Sequence, residues 1–86
     1  MKPTRTYHIL FSSLLANGIV LTENANAISF TNKGADTVYI NNYPLAQNET
    51  IALNGLEGEI DKSTYTIAWL PSATDKQLFI QKKIYN

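Results

Sequence analysis

The sequence predicts an all-β fold: a small antiparallel β-sandwich or barrel of about six or seven short strands, in a single domain over residues 1–86. Three observations point there. From Ile28 onward apolar residues recur with a period of two, and turn-forming clusters of Gly, Pro and Asn return roughly every 8–12 residues. No stretch sustains the period of a capped helix.

Taken in order, residues 7–15 read as a first strand and 19–23 as a second, with Asn17-Gly18 as a tight hairpin turn between them. Ile28 and Phe30 alternate with Ser29 and Thr31. Asn32-Lys33-Gly34-Ala35 then turns the chain into a strand carrying Val38 and Ile40 inward, a second hairpin. Pro44 cannot donate to a ladder, so residues 41–49 read as a connection, and 50–53 return with Ile51 and Leu53 inward. Asp61 is placed to cap a short helical turn over 62–64. Residues 64–70 alternate again, with Tyr65, Ile67 and Trp69 on one face, until Pro71 and a polar loop over 72–76. The last strand, 77–85, puts Leu78, Ile80 and Ile84 on one face and Phe79 on the other.

Residues 1–27 support a rival organisation: a signal peptide, followed by a small β domain over 28–86. Lys2 and Arg5 give a positive start, 9–21 is mostly apolar, and Ala25-Asn26-Ala27 has the small-x-small form of a cleavage site. Ser12, Ser13, Asn17 and Gly18 interrupt the apolar region, and Glu23 stands just ahead of the cut. Both organisations remain open at this level, with the strand reading leading. Cleavage after Ala27 would leave 59 of the 86 residues, a size at which domains without disulfides are marginal.

Composition narrows the function. Seven basic residues balance seven acidic ones, and only Lys82-Lys83 are adjacent, so binding to nucleic acid or to an anionic membrane surface is not expected. No apolar run reaches the ~18–20 residues of a membrane helix. The chain has no cysteine, which excludes disulfides, thiolate nucleophiles and thiolate metal sites. No catalytic residue, metal ligand set or cofactor site is expected. His8 is the sole histidine, and no serine sits in a nucleophile elbow. Gly55 and Gly58 lack the Lys-Ser/Thr of a phosphate loop. Glu57, Glu59 and Asp61 only half supply the oxygen ligands of a calcium loop, so a solvated turn is expected there. Tyr39, Tyr43, Tyr65, Trp69, Phe79 and Tyr85 read as core and interface aromatics rather than a base-stacking platform, because no basic groove accompanies them.

One set of residues resembles a known group. Asn32, Val38-Tyr39-Ile40-Asn41, Pro44-Leu45-Ala46 and Gly58-Glu59-Ile60-Asp61, leading into Tyr65-Thr66-Ile67, resemble the layout of very short all-β virion structural proteins of tailed bacteriophages, particularly those of Bacteroidetes-type hosts. The opening residues 7–21 and the tail 80–86 resemble the same layout, which then covers nearly the whole chain. Gln47-Asn48-Glu49 departs from it where such turns often carry Pro-Gly. The resemblance implies a non-enzymatic structural role in the virion: a small module that decorates a capsid, builds a head fibre or joins a tail assembly. It also implies a homo-oligomer whose partners are larger capsid or tail proteins. The rival organisation implies instead a periplasmic or secreted binding module acting on a protein or glycan.

Overall fold

A computed structural model describes residues 6–22, 25–55, 58–61 and 63–85. The alternating patterns become strands, and the fold is all-β with two antiparallel sheets. Among the described residues there are eight strands: β1 (Tyr7–Leu14), β2 (Gly18–Leu21), β3 (Ala25–Asn32), β4 (Val38–Ile40), β5 (Tyr43–Leu45), β6 (Thr50–Asn54), β7 (Thr64–Trp69) and β8 (Leu78–Tyr85). One sheet has the order β1-β8-β3-β6 and the other β2-β7-β4-β5.

The pairings explain that order. β1 pairs with β8, β2 with β7, β3 with β6 and β4 with β5, so the chain doubles back on itself as one long antiparallel ribbon. Two further pairings, β3 with β8 and β4 with β7, roll the ribbon into a sandwich. Eight strands folded this way form a jelly roll, the double-sheet solution to the problem of exposed strand edges.

Two expected hairpins are therefore absent. β1 and β2 lie in different sheets, and so do β3 and β4. The reason at the first site is backbone geometry: a two-residue hairpin of the favoured type needs positive φ at both central residues. Asn17 and Gly18 do not have it. Asn17 instead turns its side chain to the other sheet, where its Oδ1 accepts the Trp69 amide at 2.9 Å. The tight turn is at Asn41-Asn42, with φ of 48° and 69°, and it joins β4 to β5. The segment expected as a connection thus contains a strand. Pro44 is accommodated because β5 is an edge.

The core lies between the sheets. Ile28, Phe30, Leu78 and Ile80 of one sheet meet Val38, Ile40, Leu45, Tyr65, Ile67 and Trp69 of the other, and Val20 of β2 completes the cluster. Phe30 and Tyr65 touch edge to face across it, with ring centroids 5.1 Å apart, an arrangement worth about 0.5–1.5 kcal/mol beyond the area it buries. Ile51 is half-buried, Leu53 is exposed at the rim and Ile84 is half-buried, so the expected inward set thins toward the strand ends. Of residues 1–27, the described ones contribute β1, β2 and the start of β3.

One end of the sandwich is closed by polar bonds. Asn32, fully buried at the end of β3, donates through Nδ2 to the carbonyls of Asp36 at 2.9 Å and Leu45 at 2.8 Å, while its Oδ1 accepts from the Gly34 amide at 2.9 Å. Leu45 belongs to the opposite sheet, so this amide ties the two sheets together. Beside it, Asp36 Oδ2 accepts the amides of Thr74 and Asp75 at 2.9 and 2.8 Å. Those amides hold its carboxyl below the usual carboxylate value.

Candidate interaction surface

Register assigns each side chain of the first sheet to a face. Opposite partners across β1 and β8 are Tyr7 and Tyr85, Ile9 and Lys83, Phe11 and Gln81, Ser13 and Phe79. The same rows continue onto β3 and β6 through Ala27 and Asn54, Ser29 and Ala52, Thr31 and Thr50. The intervening rows carry Ile28, Phe30 and Ile80, which are core. The first set therefore forms the outer face of the β1-β8-β3-β6 sheet.

That face is apolar on one half and small on the other. Phe11 is 69% exposed and Phe79 48% exposed, with Tyr7 and Ile9 also exposed. Beyond them the surface drops to a floor of Ala27, Ser29, Thr31, Thr50 and Ala52. Two shallow hollows result, one of about 320 Å³ between Phe11, Ser13, Phe79 and Gln81, the other of about 220 Å³ between Ile9, Ala27, Asn54 and Lys83. Lys83 bridges the polar and apolar parts, its Nζ lying 4.6 Å from the centroid of the Tyr7 ring. Thr31 and Thr50 hydroxyls bond each other at 2.8 Å across β3 and β6. Large exposed aromatics around a floor of small side chains suit a protein surface that projects side chains into the hollows.

The residues weighed for chemistry are placed differently. Glu57 and Lys62 lie outside the described residues, as do Lys2, Arg5 and Glu23. Residues 58–61 act as a latch: the Gly58 amide donates to the Tyr85 hydroxyl at 2.9 Å, Asn26 Nδ2 donates to the Glu59 carbonyl at 2.9 Å, and the Asp61 amide donates to the Ala25 carbonyl at 2.8 Å. Asn26 is buried where the register of β3 against β8 shifts between Ala25 and Ala27. Asp61 does not start a helix; Thr64 already opens β7. Its carboxylate accepts the Ser63 amide at 2.7 Å and the Tyr65 hydroxyl. Burial works to raise the Asp61 carboxyl, but the bond from Tyr65 and those from the Ser63 amide and side chain together outweigh it and leave it below the usual value. Burial, then the bond to Asp61, push the Tyr65 hydroxyl up to about 12.

His8 lies on the exposed strand β1, and Tyr65 and Trp69 are core. Of the aromatics singled out from sequence, Phe79 and Tyr85 lie on the β8 outer rows, whereas Tyr43 is on the far edge strand β5. Sequence reasoning missed Phe11 and Ile9 as surface residues. Leu10 and Leu14 between them blur the alternation that would have revealed two faces. Among the described residues no group of three His, Asp or Glu is placed to hold a metal ion, and no helix is long and apolar enough to cross a membrane. Compared with models of protein families, with curated proteins and with solved structures, the chain matches none.

Proposed function

We propose that the chain is a non-enzymatic structural protein of a bacteriophage virion, a small β module that oligomerises and attaches to larger capsid or tail proteins through the outer face of the β1-β8-β3-β6 sheet. The observation that carries this reading is the exposed set Tyr7, Ile9, Phe11 and Phe79 on one face of a sheet whose opposite face is core. A face built so is half-way to an interface: covering it removes apolar area from water without unpairing any buried charge. The jelly roll adds support by analogy of fold, since this architecture recurs in viral capsid and lectin domains.

The experiment has two arms, both on material from the natural source. Mass spectrometry of purified virions is expected to find the chain with residues 7–21 retained, and a deletion of residues 1–21 is expected to abolish folding or incorporation, since Val20 is core and β1 covers one side of β8. In the second arm Phe79→Asp, folded by its Trp69 fluorescence, is expected to lose association with virions. A monomer recovered outside the cell and beginning at Ile28 would overturn the proposal.

A further inference from the structure

The four edge strands of this sandwich are not equally defended. β5 is three residues long and holds Pro44, β2 is four residues and β6 five. β1 is eight residues long, contains no proline, lysine, arginine, aspartate or glutamate, and among the described residues has a strand neighbour on one side only. Sheet edges left in this condition template the addition of another strand, and monomeric proteins blunt them with charge, proline, bulges or short length. The bulge of this sheet is on β3, in its interior.

We propose that β1 pairs with β1 of a second copy, antiparallel about a twofold axis, so that two four-stranded sheets become one sheet of eight. The proposal rests on the assembly role given above and names its self-interface. Three features select a second copy as the occupant. The formal net charge is zero, so two copies approach without self-repulsion. A twofold between antiparallel β1 strands sets the alternate residues Tyr7, Ile9, Phe11 and Ser13 of one copy beside the same set of the other, apolar against apolar, as an isologous contact requires. The contact is also long enough: eight residues at about 3.4 Å each give a seam of about 27 Å, and a strip about 20 Å around on each copy removes on the order of 1,000 Å² in total, the lower bound for a specific interface. Pairing would also join the outer faces of both sheets into one doubled apolar surface, giving a bivalent attachment to a larger assembly.

The absence of cysteine makes the test clean. Single substitutions Tyr7→Cys, Ile9→Cys, Phe11→Cys and Ser13→Cys are oxidised in the full chain, with Phe79→Cys on β8 as the control. Across a twofold a residue meets its own copy only near the axis, so disulfide-linked dimer is expected to peak at the one probed β1 position on the axis or the two that flank it and to fall away beyond them, with little at Phe79. Light scattering is expected to give the dimer mass for the parent chain. Phe11→Lys, folded by Trp69 fluorescence, is expected to weaken the dimer by at least roughly tenfold, because it places a charge in the apolar seam on each copy. A monomeric parent without cross-links, or cross-linking at Phe79 as strong as on β1, overturns the pairing. In the latter case the copies stack face to face. Loss of virion association in Phe79→Asp with the dimer intact tests the attachment reading alone; a virion-bound monomer overturns the pairing alone.

Discussion

Replacing Asn32 probes how the two sheets are held together. Asn32→Ala deletes three side-chain hydrogen bonds, to the Asp36 and Leu45 carbonyls and from the Gly34 amide, at a residue with no solvent exposure. At about 1 kcal/mol net for each, the expected loss is about 3 kcal/mol. A domain of this length has roughly 4–13 kcal/mol of stability to lose, so the effect lowers the melting temperature by about 12–24 °C. Asn32→Asp is nearly isosteric and is predicted to be worse. It keeps the acceptor for Gly34 but turns the Nδ2 donor into a carboxylate oxygen facing two carbonyls at 2.9 and 2.8 Å, and it buries a charge, for about 4–5 kcal/mol near neutral pH. Burial among carbonyls raises the folded-state pKa of that new carboxyl above its unfolded value of about 3.9, so the penalty is relieved as pH falls toward about 4. Trp69, the single tryptophan and a core residue, reports urea unfolding of each variant directly. Both variants within about 0.5 kcal/mol of the parent, or Asp more stable than Ala at neutral pH, would show that this amide does not tie the sheets.

Tyr65→Phe keeps the ring on Phe30 and removes the hydroxyl with its bond to Asp61, so a loss of about 1–2 kcal/mol is expected in urea. The folded pKa of Tyr65 stands above its ordinary value of 10, at about 12, so its contribution is complete below pH 10 and is lost as pH rises toward 12; the phenylalanine variant should flatten that alkaline decline. On the acid side Asp36 and Asp61 both lie below their ordinary value of 3.8. Their contribution is present above pH 3.8 and lost as pH falls below it, and Asp36→Ala should make the acid decline of the urea midpoint shallower. Gly34→Ala should cost about 1–3 kcal/mol by thermal melting. Its Cβ would stand 2.3 Å from the Asp75 carbonyl oxygen and 2.8 Å from the Gln77 nitrogen, both backbone atoms.

Fold class was legible from the sequence because a period of two survives wherever one face is buried. Ile28 and Phe30, Tyr65, Ile67 and Trp69, and Leu78 and Ile80 all stand where alternation puts them. Pairing was not legible. Neighbouring strands usually pair, and that expectation produced hairpins at Asn17-Gly18 and at 32–35. Among the described strands only β4 and β5 are both consecutive and paired; the other consecutive strands lie in opposite sheets. What selects the crossing at 32–36 is the Asn32 side chain reaching over to Leu45, a long-range contact that local turn statistics do not contain. The positive φ of Asn41 and Asn42 was local information, masked by Pro44, which an edge strand tolerates.

The interaction surface was harder to see for a related reason. β1 has apolar residues at both parities, so its sequence reads as a strand buried on both faces or as the apolar core of an export signal. In the fold only Leu10 and Leu14 turn even partly inward, while Ile9 and Phe11 remain exposed beside Phe79. The polar residues do the opposite: Asn26, Asn32 and Asp61 spend their hydrogen bonds inside the molecule, closing the ends of the sandwich. A chain with no disulfide and few charges ties its sheets with buried amides and leaves Tyr7, Phe11 and Phe79 exposed on one sheet face beside the long edge strand β1. That division makes sense if the apolar face and edge are meant to be covered, because in an isolated molecule they carry the risk of nonspecific strand addition without any compensating gain in stability.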